Sequence, residues 1–185
     1  MVSNIEEVRQ LREVIKEVED ELMRENVGFG KGIPIGVMVE VPSLAIMALK
    51  LMKEVDFVSI GTNDLVQFTL AVDRDNDLVS HLYQPLDPSI LWLIKNVIDA
   101  GNAYGKSVSI CGEIAGDPAY FPLLFGLGLR EFSVAPVAIL EIKEISRLVT
   151  EKDTSHLAEK ALGMDSATEI ERLLTAYPLE HTKSE

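Results

Sequence analysis

Four short strand-like segments alternate with longer stretches of helical pattern, and this alternation constrains the fold more than any other feature of the sequence. The segments predict strands at 33–39, 57–60, 107–111 and 131–134, and the first, which is nearly all apolar, is expected to be buried on both faces. Strands that alternate with helices form right-handed βαβ units around a parallel sheet. Two architectures satisfy this pattern, an open doubly wound sheet and a (β/α)₈ barrel.

The residues between the strands carry recognisable helix signals. Ser3-Asn4-Ile5-Glu6 has the form of a capping box, and the apolar residues behind it recur every three or four positions, which predicts an amphipathic helix with one buried stripe. Further helices are predicted at 44–54 with Ser43 as N-cap, at 65–71, from Asp87-Pro88, from Asp117-Pro118, and from Val137 onward, with a second capping box at Ser166–Glu169. We expect the tail after Pro178 to be frayed.

The residues that end the strands favour the barrel. The strands stop at polar or special residues, namely Glu40, Asn63 with Asp64, Cys111, and Ala135-Pro136, as strands do at the catalytic face of a barrel. A complete barrel takes about 250 residues, whereas this chain has 185. We therefore predict an α/β fold, the C-terminal half of a (β/α)₈ TIM barrel, with residues 1–150 as the partial barrel and 151–185 as a helical extension of the same domain.

Charge and composition narrow the possible partners. The net charge of −13 argues against nucleic acid or an anionic membrane as a partner. The acidic N-terminal residues lack the apolar core of a signal peptide, and the apolar runs fall short of the roughly 20 residues of a membrane span. The single cysteine suits a reducing compartment. We expect a soluble, cytoplasmic protein.

Two carboxylates follow successive strands. Glu40 and Asp64 stand just past two predicted strand ends, so a barrel would place both on one rim. Mg²⁺ typically takes one or two carboxylates and leaves its other positions to water and substrate oxygens. The alternative is that each carboxylate caps the helix that follows it.

The turn Gly61-Thr62-Asn63-Asp64 and the later Arg74 suggest an anion site. Backbone N–H groups of such a turn suit a phosphate or a carboxylate, and Arg74 suits a bidentate phosphoryl clamp. Alternatively, Arg74 is a solvated loop residue paired with Asp73 or Asp75.

Cys111 ends the third predicted strand. Lone intracellular cysteines are usually small buried hydrophobes. At the mouth of a barrel, however, a thiol is able to act as a general acid or base.

Read together, these segments resemble the phosphoenolpyruvate-binding barrel of the phosphoenolpyruvate-utilising enzymes. The resemblance rests on the stretches Ile35–Pro42, Asp56–Leu65, Leu70–Arg74, His81–Pro85, Cys111–Asp117 and Leu127–Ser133. Leu70–Arg74 is most similar to the enzyme I branch, the phosphoenolpyruvate-protein phosphotransferases of the bacterial sugar phosphotransferase system, rather than to the related dikinase or synthase. Asp75 departs from the family, which usually has glycine there, and adds a negative charge beside the arginine.

The resemblance implies a role for each matching residue. Glu40 and Asp64 would hold Mg²⁺, Asn63, Asp64 and Arg74 would bind the substrate's phosphate and carboxylate, and Cys111 would protonate C3 of enolpyruvate. The reaction implied is transfer of the phosphoryl group of phosphoenolpyruvate to an enzyme histidine, with release of pyruvate. That histidine lies in a separate N-terminal domain of the family, through which a histidine-containing phosphocarrier protein would be reached.

Two hypotheses follow. In the first, the chain is part of such an enzyme and is inactive without the remainder. In the second, it is a non-catalytic half-barrel that binds a phosphoenolpyruvate-like ligand or a partner half-barrel. In either case four barrel strands leave two edges and an inward face that we expect to be aliphatic. We therefore expect a homodimer or a complementing half-barrel.

Overall fold

The computed structural model describes residues 1–177, and its centre is a single parallel sheet of four strands in the order β1-β2-β3-β4. The strands are β1 (Gly36–Val39), β2 (Phe57–Gly61), β3 (Ser107–Cys111) and β4 (Glu131–Phe132). Each strand pairs with the next one along the chain. A doubly wound sheet reverses direction at a switch point, whereas this sheet steps one way throughout. The predicted α/β half-barrel is confirmed.

Helices fill the connections and continue beyond the last strand. They are α1 (Ile5–Arg24), α2 (Pro42–Ile46), α3 (Ala48–Leu51), α4 (Thr62–Leu70), α5 (Pro88–Tyr104), α6 (Phe121–Gly126), α7 (Ile139–Ser146), α8 (Glu151–Leu162) and α9 (Ala167–Thr175). Short 3₁₀ turns occupy Ser80–Leu82, Glu113–Ala115 and Pro136–Ala138. As predicted, α5 begins at Asp87-Pro88, where the Asp87 carboxylate accepts from the Ser89 N–H at 2.9 Å.

The core lies between the sheet and the helices. Alternate strand residues, among them Val39, Val58, Ile60 and Ile110, are completely buried, because successive side chains of a strand point to opposite faces. They join the apolar faces of α2, α3 and α5 in one aliphatic cluster, which Leu157, Ala161 and Ile170 extend into α8 and α9. The sheet is thus fixed on its helix-covered side.

The other face of the sheet, the inward face of a barrel, contradicts the expectation of aliphatic surface. In register across the strands it carries Gly36, Phe57 and Ser107 in one row, and Met38, Ser59, Ser109 and Glu131 in the next. Hydroxyls and a carboxylate dominate, and Ser107 donates to Glu131 Oε1 at 2.6 Å. The expectation was wrong because the aliphatic residues of these strands point to the helices instead.

The first helix begins one residue later than its capping box predicted. Asn4 is the N-cap and its Oδ1 accepts from the Glu7 N–H at 3.0 Å, while the Glu7 carboxylate accepts from the Ser3 N–H at 2.7 Å. Glu6 is therefore not the acidic partner. The box at the last helix was predicted correctly, since Ser166 Oγ accepts from the Glu169 N–H at 3.3 Å.

The predicted helix at 44–54 is two short helices, α2 and α3, that meet at Met47. Ser43 is not its N-cap. The helix starts two residues earlier, at Val41-Pro42, because proline's fixed φ suits the first helical position. The Ser43 hydroxyl instead donates to the Ser3 carbonyl at 2.7 Å, which ties α2 to the start of α1.

Several other boundaries shift. The first strand starts at Gly36, the last ends at Phe132, and α4 starts directly at Thr62. The helix expected from Asp117-Pro118 begins only at Phe121, because the Asp117 carboxylate forms a turn by accepting from the Ala119 N–H. The helical region from Val137 is interrupted at 147–150 and 163–166. The frayed tail expected after Pro178 lies outside the described residues.

The predicted buried stripe of α1 is mostly uncovered. Val8 is buried, but Leu11 is 49% exposed and Val18 is 48% exposed. None of the helices between Met1 and Tyr177 is long and apolar enough to cross a membrane.

The open sheet leads to a first testable prediction. Strands β1 and β4 end the four-stranded sheet, and strand edges pair readily with another chain. We expect the purified chain to form dimers or larger species, or to bind a fragment carrying the other half of a barrel. Light scattering coupled to gel filtration, with and without that fragment, measures both outcomes. A monodisperse monomer that melts cooperatively and ignores the fragment would contradict the prediction.

Candidate functional site

Two carboxylates meet where adjacent parallel strands end. Glu40 directly follows β1, and Asp64 lies in the first turn of α4, which starts as soon as β2 ends. Burial raises the pKa of the Glu40 carboxyl, and the negative charge and side chain of Asp64 raise it further, while the α-amino group of Met1 has a weaker, opposite effect. The two carboxyls are therefore close neighbours, as the strand pattern predicted.

Neither carboxylate caps the helix that follows it. The N-caps of α2 and α4 are Val41 and Gly61, and neither helix start has a side-chain capping hydrogen bond. The alternative interpretation, in which Glu40 and Asp64 cap these helices, is therefore wrong. Two neighbouring carboxylates that repel each other are a donor set suited to a hard divalent cation such as Mg²⁺. Within residues 1–177 no group of three or more potential metal ligands occurs, so such an ion would need further oxygen ligands from water or substrate.

The turns after β2 and β3 are locked together. Thr62 Oγ1 donates to the Cys111 carbonyl at 2.8 Å, and the Glu113 N–H donates to Asn63 Oδ1 at 3.0 Å. Gly112 makes this approach possible: its φ of 101° and ψ of −178° are accessible essentially only to glycine. A Cβ atom at Gly112 would lie 2.2 Å from Thr62 Oγ1.

This arrangement orients the Asn63 amide. Because Oδ1 accepts the Glu113 N–H, the amide's NH₂ group is left as the donor. The backbone carbonyl of Asn63 accepts a hydrogen bond from the Tyr83 hydroxyl at 3.2 Å. Asn63 therefore offers N–H donors beside Asp64, which suits an anion.

Arg74 lies in the loop after α4 and is held loosely. Its Nη1 is 3.6 Å from Glu113 Oε1, its Nε is 4.0 Å from Asp75 Oδ1, and its side chain is 36% exposed. Exposed pairs at such distances contribute little, so the guanidinium is available to a stronger anion. The Asp75 carboxylate competes with such an anion for the Arg74 guanidinium, as its position next to Arg74 in the sequence indicated.

Cys111 ends β3 on the inward face of the sheet, paired in register with Gly61. Its Sγ lies 3.6 Å from Met38 Sδ and 3.5 Å from the Ile60 carbonyl, and the Ser59 hydroxyl donates to it at 3.8 Å. The thiol is only partly buried. It is therefore not the enclosed small hydrophobe of the alternative interpretation.

Cys111 also shares a neighbourhood with the carboxylates. A Cβ atom placed on Gly61 would lie 3.0 Å from both Glu40 Cβ and Met38 Sδ. Glu40 and Cys111 thus flank one small space above Gly61 and Met38. Two neighbouring carboxylates, the N–H donors of Asn63 and a thiol stand together at the carboxyl end of the sheet.

Comparison with known proteins agrees with this geometry. Residues 1–150 match the family described as "PEP-utilising enzyme, PEP-binding domain". The chain belongs to the phosphoenolpyruvate-utilising enzyme family. The resemblance predicted from the motifs is confirmed.

Three relatives of this family member bear the same name. Proteins named phosphoenolpyruvate-protein phosphotransferase from Haemophilus influenzae and Enterococcus faecalis are 49% and 44% identical to it, over 98% and 96% of the chain. The relative from Listeria monocytogenes is 43% identical over 97% of the chain. These alignments cover 31–32% of each relative, so the chain spans about a third of their length.

Sequence reasoning missed several residues of this site. Tyr83 and Glu113 lie within matching motifs but received no role, yet both contact the Asn63 turn. Met38 and Ser59 line the thiol. Their alternation with buried neighbours assigns Met38 and Ser59 to the inward face, whereas nothing in the sequence brings Tyr83 to Asn63 across 20 residues.

Proposed function

We propose that this chain is the part of a phosphoenolpyruvate-protein phosphotransferase that binds phosphoenolpyruvate with Mg²⁺. The enzyme would transfer the phosphoryl group to a histidine of another domain and release pyruvate. It would act in the cytoplasm, with a histidine-containing phosphocarrier protein as the next acceptor. Residues 1–150 would form the barrel portion and the later helices an extension of the same domain.

One observation carries the proposal. Glu40 and Asp64 are neighbours at the ends of β1 and β2, and neither caps the helix that follows it. Burial and the nearby Asp64 carboxylate raise the pKa of Glu40. Like-charged groups kept together at the ends of adjacent strands are typical of a metal or catalytic site. Family membership of the chain indicates the substrate that such a metal would help to bind.

The residues around the carboxylates suit the substrate's two anionic groups. The Arg74 guanidinium, half-exposed and only weakly paired, would bind phosphate oxygens in a bidentate manner. The Asn63 NH₂ group, left free to donate by its bond to Glu113, would hold a second oxygen. When bound at Glu40 and Asp64, Mg²⁺ supplies positive charge that stabilises the negative charge developing on the substrate oxygens.

Cys111 supplies the proton. As the bond between phosphorus and the enol oxygen breaks, the phosphoryl group passes to the acceptor histidine and the electron pair stays on the oxygen. The Cys111 thiol would then protonate C3, which yields pyruvate and a thiolate that solvent reprotonates. The partial exposure of Cys111 provides the route for that proton.

A chimaera tests the proposal directly. This chain would replace the aligned segment of the Haemophilus influenzae relative, to which it is 49% identical over 182 residues. We expect the chimaera to form pyruvate from phosphoenolpyruvate and to phosphorylate the phosphocarrier protein, with both activities dependent on Mg²⁺. Calorimetry would measure phosphoenolpyruvate binding in parallel.

The two sequence-based hypotheses give different outcomes. A folded chimaera that binds phosphoenolpyruvate but forms no pyruvate would favour the non-catalytic half-barrel. A folded chimaera that neither binds nor reacts would contradict the proposed function and would leave only a half-barrel that binds a partner half-barrel. The original relative is the positive control for folding and activity.

A further inference from the structure

Thr62 joins the two strand ends that carry the groups of the site. It directly follows β2 and starts α4, just ahead of Asn63 and Asp64. Its Oγ1 donates to the backbone carbonyl of Cys111, the last residue of β3, at 2.8 Å. One side chain therefore links the segment that would bind cation and anion to the residue that would supply the proton.

The Thr62 hydroxyl is buried. Within residues 1–177, Thr62 and Thr154 are the two polar residues with almost no exposed surface, at 1% and 0%. Burying a hydroxyl costs free energy unless it forms a hydrogen bond, whereas valine, of nearly the same shape, would carry no such cost. The Thr62 hydroxyl is thus matched to its acceptor, and water does not compete for the bond.

Strand pairing ends at this point. The ladder between β2 and β3 stops at Cys111, and the chain then turns at Gly112, whose φ is 101°. A Cβ atom on Gly112 would lie 2.2 Å from Thr62 Oγ1, so the hydroxyl lies against the chain directly after Cys111. A second link, from the Glu113 N–H to Asn63 Oδ1 at 3.0 Å, is more exposed. Thr62 thus supplies the buried link beyond the end of the ladder.

A fixed Cys111 carbonyl also restricts the thiol. The carbonyl carbon and the Cβ atom are bonded to the same Cα atom, so a held peptide plane leaves the side chain little besides rotation about χ1. The Sγ atom lies 3.5 Å from the Ile60 carbonyl and 3.6 Å from Met38 Sδ. A thiol is a weak donor, so these contacts hold it less firmly than the bond from Thr62 holds its main chain.

We propose that Thr62 is a positioning residue, whose hydroxyl holds the main chain of Cys111 against the start of α4 and so sets the place of the thiol relative to Asn63 and Asp64. The inference rests on the proposed function for the role of the thiol as proton donor, but the hold on Cys111 is a property of the free chain. Loss of the hydroxyl should leave substrate binding intact and slow the protonation of C3.

Four variants test the hold on Cys111. Thr62→Val and Thr62→Ala remove the hydroxyl, Thr62→Ser retains it, and Thr154→Val is the matched control. Thr154 is equally buried and its Oγ1 donates to the Thr150 carbonyl at 2.8 Å, but it lies in α8. Thr62→Val and Thr154→Val should therefore lower the melting temperature by similar amounts, a few degrees each.

The free chain offers a direct view of the bond. Because Cys111 is the only cysteine, labelling cysteine with ¹³C at the carbonyl gives a single NMR signal. We expect this signal to move upfield in Thr62→Val and Thr62→Ala, since the carbonyl loses a hydrogen bond. It should stay in place in Thr62→Ser and Thr154→Val.

Turnover separates positioning from stability. In the chimaera, Thr62→Val should lower kcat for pyruvate formation about tenfold, the scale of one lost hydrogen bond, with KM for phosphoenolpyruvate within about twofold. Thr62→Ser should retain most of the rate, and Thr154→Val should keep it. In a Cys111→Ala background, Thr62→Val should have no further effect, because a residue that acts through the thiol loses its influence once the thiol is gone.

Three results would overturn the inference: an unmoved carbonyl signal in Thr62→Val, an unchanged kcat, or the same tenfold loss in the Cys111→Ala background. A moved signal, together with a parent chimaera that forms no pyruvate, would keep the hold of Thr62 on Cys111 and contradict the proposed function instead.

Discussion

Glu40→Gln and Asp64→Asn, each in the chimaera, are expected to lower Mg²⁺-dependent kcat/KM by about 10³-fold. Loss of a metal ligand or of an electrostatic stabiliser of the transition state costs several kcal/mol, roughly this factor. Each substitution keeps the shape of the side chain and removes its charge, so the fold should persist. Coupled assays of pyruvate formation across a range of Mg²⁺ concentrations would measure the effect.

Asp77→Asn is the matched control for these variants. Asp77 is an exposed carboxylate of the Arg74 loop and forms no ion pair within residues 1–177. Its loss should leave kcat/KM within about twofold, as for a solvated surface charge. If Glu40→Gln or Asp64→Asn turned over at a near-normal rate in low Mg²⁺, the metal assignment would be wrong.

Glu40→Gln also has a signature in the metal-free chain. A carboxyl whose pKa is raised in the folded state favours folding when it is protonated. Its ionised form therefore lowers the free energy of unfolding at pH values above the raised pKa, and this penalty disappears as the pH falls below the ordinary value. Glu40→Gln should melt at a higher temperature than the parent chain at pH 7, and the difference should shrink near pH 4.

The sequence predicted most of the fold because its strongest signals were local. The segments that form β2 and β3 are short and contain the β-branched residues typical of strands, and Asp87-Pro88 has the residues that a helix start requires. The choice between a barrel and a doubly wound sheet depends on the order of the strands. The polar residues at the strand ends favoured the barrel, and this prediction was correct. The errors arose where two local signals competed, as when Pro42 outweighed Ser43 at the start of α2.

The inward face shows a different limit. Period-two alternation fixes which residues share a face of the sheet, but not which face the helices cover. The polarity of Ser59, Ser109 and Glu131 is the sequence signal that this side of the sheet is uncovered. Because Ser59 and Ser109 alternate with buried neighbours, the same signal places them on the face that carries Cys111.

Parts of the site lay beyond any local pattern. Glu40 and Asp64 were predictable because parallel strands bring their carboxyl ends to one edge. The bonds of Asn63 to Glu113 and Tyr83 join residues 50 and 20 positions apart, and they depend on how loops fold back over the strand ends. Of these features, only the positive φ of Gly112 was indicated by the sequence, because the residue is a glycine. The sequence did not indicate that Gly112 lies against Thr62.

Cys111→Ala should separate binding of the substrate from protonation. In the chimaera we expect Mg²⁺-dependent binding of phosphoenolpyruvate to stay within about threefold, while pyruvate formation slows by about 10²-fold or more, the usual scale for a lost general acid. The thiol faces Met38 Sδ and the Ser59 hydroxyl, and neither of these is a comparable acid. Calorimetry measures the first quantity and a coupled pyruvate assay the second.

Two further variants distinguish acid catalysis from packing. Cys111→Ser keeps the shape of the side chain but replaces the thiol by a much weaker acid, so it should be nearly as slow as Cys111→Ala. Ser109→Ala removes a hydroxyl of similar size two residues earlier on the same face of β3, and it should retain near-normal turnover. If Cys111→Ala formed pyruvate as fast as the parent, Cys111 would not be the acid. If Ser109→Ala were as slow as Cys111→Ala, the rate would follow the packing of the inward face rather than the presence of an acid at Cys111.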